Sequence, residues 1–132
     1  MKRLILIFVI TSFFISCSSD DDNDDQNKAA FNPPAWIQGT WEADLIDEVG
    51  VGVKFKADDY CNIVTGNDVC FKTVVEESLG LITVEDEQST DTEYKFTIKR
   101  PLETTSFHYK KKSDTSIVLV VLNIDTVVYD KK

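Results

Sequence analysis

Apolar and polar residues alternate with a period of two over most of the chain after Trp36. Trp41, Ala43 and Leu45 alternate with Glu42 and Asp44, and Val51, Val53 and Phe55 with Gly52, Lys54 and Lys56. The same pattern returns at Ile82 and Val84, at Tyr94, Phe96 and Ile98, and at Phe107 and Tyr109. Such a period gives each strand one buried and one wet face. From Ile117 to Leu122 both faces are apolar, which predicts a strand covered on both sides. Turn signals separate these runs at Val49-Gly50, Thr65 to Asp68, Gln88 to Thr92, Arg100-Pro101, Lys112 to Asp114 and Asn123 to Asp125. Connections this short make neighbouring strands antiparallel. Thr73 to Glu76 has the spacing of a capping box, with Gly80 placed to end a helix. Val74-Val75 suits a strand equally, so the segment 72–79 stays open between helix and strand. The pattern predicts an all-β, antiparallel up-and-down meander of seven or eight strands with one short helix. Closing the meander into a small barrel would remove its edges.

The first 35 residues follow different rules. Lys2 and Arg3 precede a nearly unbroken apolar run from Leu4 to Ile15, and the small Ser16 stands before Cys17. A basic start, a short apolar middle and a small residue before the cut make residues 1–16 a signal peptide. The run falls short of the ~20 residues a spanning helix needs. Phe14-Ile15-Ser16-Cys17 resembles the lipobox of bacterial lipoproteins, with Phe14 where leucine is commonest. The resemblance implies that Cys17 becomes the lipidated first residue of the mature chain, anchored through more than one acyl chain. Ser18, Ser19, Asp20, Asp21 and Asp22, followed by Asn23, Asp24 and Asp25, form an acidic block that cannot pack and stays solvated. After a lipidated cysteine this block resembles the acidic export signal of some gram-negative bacteria, which implies an outer-membrane lipoprotein facing the cell exterior. Residues 17–35 then read as a tether and 36–132 as the folded domain. Residues 18–33 as a flexible chain would span roughly 20 to 24 Å.

Charge narrows the partners. The chain carries a net charge of −9, and from Ala29 onward 18 acids face 11 bases. An acidic domain on an acidic tether excludes nucleic acid as a partner and leaves the lipid anchor as its link to a membrane.

Trp36-Ile37-Gln38-Gly39-Thr40-Trp41 resembles the Gly-x-Trp entry of lipocalins and of the lipocalin-like domains of bacterial lipoproteins. The resemblance implies that Gly39 and Trp41 open the first strand and that Trp41 plugs one end of the barrel. Lipocalins also pair this tryptophan with an arginine near the last strand; the two arginines here, Arg3 and Arg100, are not placed for that.

Few residues suggest chemistry. With Cys17 taken by lipid, Cys61 and Cys70 flank the Thr65–Asp68 turn and read as a disulfide outside the cytoplasm. Two thiols and a single distant histidine do not make a zinc site. His108, the only histidine, falls on the polar face with Ser106 and Lys110, where neither a nucleophile nor an orienting carboxylate is signalled. The acid pairs, Asp58-Asp59 among them, read as exposed charge, and no Gly-rich phosphate loop is present. The reading is therefore non-enzymatic and cofactor-free. A barrel of eight strands is either filled or holds one small ligand. The leading expectation is a lipocalin-like barrel that binds a small apolar molecule, with Val53, Phe55, Tyr94, Phe96 and Tyr109 lining the site. A solid interior with an exposed aromatic cluster at Tyr60 would instead favour a protein that engages another surface protein or a glycan.

Overall fold

The computed structural model describes residues 31–43 and 50–132. Its strands are β1 (Gly39–Ala43), β2 (Gly52–Lys56), β3 (Asp59–Val64), β4 (Asn67–Cys70), β5 (Thr83–Ser89), β6 (Glu93–Arg100), β7 (Glu103–Lys111), β8 (Ser116–Val121) and β9 (Ile124–Lys131). Among the described residues a single helix, α1 (Phe71–Glu77), joins β4 to β5. The expected signal peptide (residues 1–16), Cys17, the acidic run Ser18 to Asp25 and the Leu45–Ile46 end of the first predicted strand lie outside the described residues.

All nine strands belong to one antiparallel sheet in the order β4-β3-β2-β1-β9-β8-β7-β6-β5. The all-β meander is therefore as the alternation predicts, with nine strands in place of seven or eight. First and last strands pair, Trp41 opposite Lys131 and Ala43 opposite Tyr129, so the sheet curls back on itself. Among the described residues no ladder joins β4 to β5, and the result is a half-barrel. The chain leaves β4 into α1 and re-enters the sheet at β5, whose register shifts between Glu85 and Gln88 with Asp86 at φ 54°. A bulged edge bearing Glu85, Asp86 and Glu87 is a poor template for another strand.

The alternation is mirrored by burial. Trp41, Val53, Phe55, Tyr94, Phe96, Ile98 and Tyr109 are all buried, while their strand neighbours Lys54, Lys95, Thr97 and Lys110 are only partly covered. Tyr60 is not an exposed aromatic: it is 1% exposed and touches rings from four directions. β8 is covered on both faces only over its first part, since Ile117, Val118 and Val120 are buried whereas Val121 and Leu122 are exposed.

Two boundaries move. The segment expected to be tether up to residue 35 is packed from Phe31: that side chain is fully buried, and Pro33 is buried with it. Asn32 donates from its backbone N–H to Glu87 Oε1 (2.5 Å), and Trp36 Nε1–H donates to the Thr90 carbonyl (2.8 Å), which fastens the lead to β5 and to the β5–β6 connection. The 72–79 ambiguity resolves to a helix, but Thr73 is not its cap. Cys70 occupies the N-cap position without a side-chain bond, and Asp59 Oδ1 from β3 accepts the Lys72 N–H at 2.8 Å instead. An orphan donor of the first turn is thus satisfied through space rather than along the chain.

Candidate functional site

The residues expected to line a pocket meet in the middle of the half-barrel, and there they touch one another. Phe55 lies 5.1 Å from Tyr109 and 5.9 Å from Tyr94, centroid to centroid, and Phe96 lies 5.3 Å from Tyr94. Tyr60 stands 5.0 Å from Phe96, and Phe31 stands 5.4 Å edge-on to Phe96. These are contact distances for aromatic pairs. Phe31 and Tyr60 fill the space that the sequence pattern left open. Neither belonged to an alternating run, and only the approach of the lead segment and β3 brings them in.

The phenols of this cluster are satisfied. Tyr60 donates to Asn62 Oδ1 (2.6 Å), so at 3.0 Å it accepts from Tyr109. Tyr94 donates to Glu87 Oε1 at 2.6 Å, the same carboxylate that holds Asn32. Burial pushes the Tyr60, Tyr94 and Tyr109 hydroxyls well above the usual phenol range, and they remain neutral donors at any physiological pH.

At the first strand, Trp41 is fully buried and its Nε1–H donates to the Ile37 carbonyl at 2.7 Å. Lys131 on β9 places its ammonium 5.1 Å from the Trp41 ring, a cation over an aromatic face. Gly39 makes room for it: φ is +133°, and a Cβ there would stand 3.1 Å from Lys131 Cε. The β1–β2 approach is also tight, because a Cβ at Gly52 would stand 2.2 Å from the Trp41 carbonyl oxygen.

Cys61 and Cys70 face each other across β3 and β4 and form a disulfide. Closing a loop of this size stabilises the fold by about 2.7 kcal/mol in the chain-entropy account. Asp59, expected to be exposed, is buried at 6% exposure and accepts the Tyr60 and Lys72 N–H groups, both at 2.8 Å. Its neighbour Asp58 does stay outside, where Lys72 holds its carboxyl below the ordinary range. Asp59 lies within 4.8 Å of both sulfurs, but sulfurs bound to each other are not thiolates and cannot ligate as such.

His108 sits on the outer face, as alternation requires, yet it is more enclosed than a solvated histidine. Its side chain is 20% exposed, and Nε2 lies 3.4 Å from Glu93 Oε2 without hydrogen-bond geometry. Desolvation, with Lys95 beside it, lowers its pKa below the ordinary 6.5. A groove of about 210 Å³ runs between it and the β5 bulge, lined also by Asp86, Gln88, Lys95, Thr97 and Ser106. The Ser106 hydroxyl is engaged with that of Thr97 at 3.1 Å rather than with His108.

Compared with known protein families, curated proteins and solved structures, the chain matches none. Among the described residues no helix is long and apolar enough to cross a membrane.

Proposed function

We propose that this chain is a non-catalytic, lipocalin-like interaction module. Lipid on Cys17 holds it at the outer membrane, the acidic run Ser18 to Asp22 directs it to the cell exterior, and the domain engages another surface protein or a glycan.

The observation that carries this reading is the state of the interior. Val53, Phe55, Tyr94, Phe96 and Tyr109, the residues that would have to line a ligand site, are at most 4% exposed, and Phe31 and Tyr60 pack among the aromatic ones. A small apolar molecule would have to displace aromatic rings already in contact. The neutral, hydrogen-bonded phenols of the interior offer no titrating group for general acid–base work, which supports a non-catalytic role for that cluster.

A thermal-unfolding screen against small apolar ligands tests the reading. Anything that binds only the folded state raises the unfolding temperature by mass action, and the expected result is no shift. A dose-dependent rise that Val53→Phe abolishes would restore the ligand-binding reading. For the anchor, the full chain made in a gram-negative host should partition into detergent, and Cys17→Ser should release it. A wild-type chain found wholly in the aqueous phase would remove the lipoprotein part of the proposal.

A further inference from the structure

We infer that one end of the half-barrel, which carries the α1–β5, β6–β7 and β8–β9 connections, is the docking surface, and that its partner is a protein with an apolar contact face bordered by Lys and Arg. The inference rests on the reading of the chain as an interaction module.

Strand direction alternates along the meander, so these three connections and the β3–β4 turn all lie at the same end. Each of the three presents a leucine to water: Leu79 is 95% exposed, Leu102 100% and Leu122 89%, with Leu81 and Ile124 at 67% beside them. The connections at the other end, residues 57–58, 90–92 and 112–115, present no exposed large apolar side chain. One exposed leucine needs no explanation. Leucines on three separate turns at one end, and on none at the other, are the kind of patch that marks an interaction site.

The backbone adds a second observation. Leu79 has φ 53° and Leu122 has φ 52°, the left-handed region that Gly or Asn occupies with less strain than leucine. Neither solvation nor backbone geometry within the domain favours leucine at these two positions. A contact outside the domain does. Between the α1–β5 connection and the β6–β7 turn lies an open depression of about 250 Å³, bordered by Leu81 and Pro101 and also by Thr83, Glu85, Lys99 and Arg100.

Charge chooses the occupant. The nearby bases are engaged, Arg100 with Glu103 and Lys99 with Glu85, both at 3.5 Å. Glu77 and Asp125 have no ion-pair partner among the described residues, so the leucines stand in an acidic surround. A second copy or an anionic lipid surface would bring like charge against like. The three connections also hold no Trp or Tyr, the residues that seat at membrane interfaces. At the opposite end Trp36 is fastened to the Thr90 carbonyl.

Photo-crosslinking in the cells that make the protein tests this, using the full chain with a photoreactive residue at Leu79, Leu102 or Leu122 and, as controls, at Asp91 or Lys112. The expected result is one protein captured from all three leucine positions and from neither control. The crosslinked peptides of that protein, sequenced by mass spectrometry, should be apolar with Lys or Arg alongside. Leu122→Asn should leave the melting temperature unchanged or higher, since the backbone strain is relieved, and should lower the adduct from Leu102 about tenfold, the equilibrium equivalent of one buried leucine. Adducts to lipid, adducts to a second copy, an acidic partner surface or no adduct at all would each overturn the inference. None of these outcomes bears on the filled interior, which the ligand screen tests separately.

Discussion

Phe31→Ala puts the largest single demand on this account, because by sequence pattern the residue belongs to a solvated tether. Its side chain is fully buried, 5.4 Å edge-on from Phe96 and 6.1 Å from Tyr60. Returning the ring to water forfeits roughly 1.5–3 kcal/mol of burial. Two lost ring pairs add about 0.5–1.5 kcal/mol each, so the total, roughly 2.5–6 kcal/mol, brackets the ~3–5 kcal/mol usual for Phe→Ala in a core. A domain of this size has about 5–15 kcal/mol in all, so the loss would be conspicuous. Urea unfolding of the Cys17→Ser chain lacking residues 1–16 is the assay. The variant's midpoint should drop by roughly 2 M at unchanged slope, and its melting temperature on the order of 20 °C. A chain starting at Trp36 should lose no less, since it also gives up the Asn32–Glu87 bonds. A Phe31→Ala variant within about 0.5 kcal/mol of its parent, the range of ordinary surface substitutions, would refute the packed lead and reopen the interior.

Two further predictions follow from the site geometry. Gly39→Ala should cost about 1–3 kcal/mol through its backbone angle and should also displace Lys131 from the Trp41 face, read as a changed tryptophan fluorescence; an unperturbed spectrum at full stability would contradict the arrangement. His108 has a folded-state pKa below 6.5, so the unfolded chain takes up its proton first as pH falls. Its contribution is present above pH 6.5 and is lost below it. Urea midpoints should therefore decline from about pH 6.5 downward in a step that His108→Gln removes, at higher pH than the carboxylates Asp58, Glu93 and Asp114, whose pKa values are lowered. A midpoint that rises on acidification through that range would reverse the sign and the reasoning.

Strand alternation made much of the core legible. Trp41, Val53, Phe55, Tyr94, Phe96, Ile98 and Tyr109 could be assigned inward because side chains in a strand must point to opposite faces, and one face was apolar. The disulfide was legible too, because two cysteines flanking a tight turn come to face each other once the hairpin forms. β3 and β4 were less readable: Asp59, Asn62, Asn67 and Asp68 break the apolar pattern, and the bonding of Asp59 and Asp68 depends on α1 and β2.

Local sequence thus determined the antiparallel meander, the inward faces and the cysteine pair, since each rests on contacts between near neighbours in the chain. Tertiary structure alone decided the rest. Phe31 is core rather than tether because β3 and β6 come together around it. Lys131 is the partner of Trp41 because the last strand closes on the first, 90 residues away in sequence. The leucines of three distant turns share one end because strand direction alternates, and no window of sequence short enough to carry a periodicity contains more than one of those turns. Where a side chain's surroundings are assembled from residues far apart, its role follows from closure of the sheet and not from its own neighbourhood.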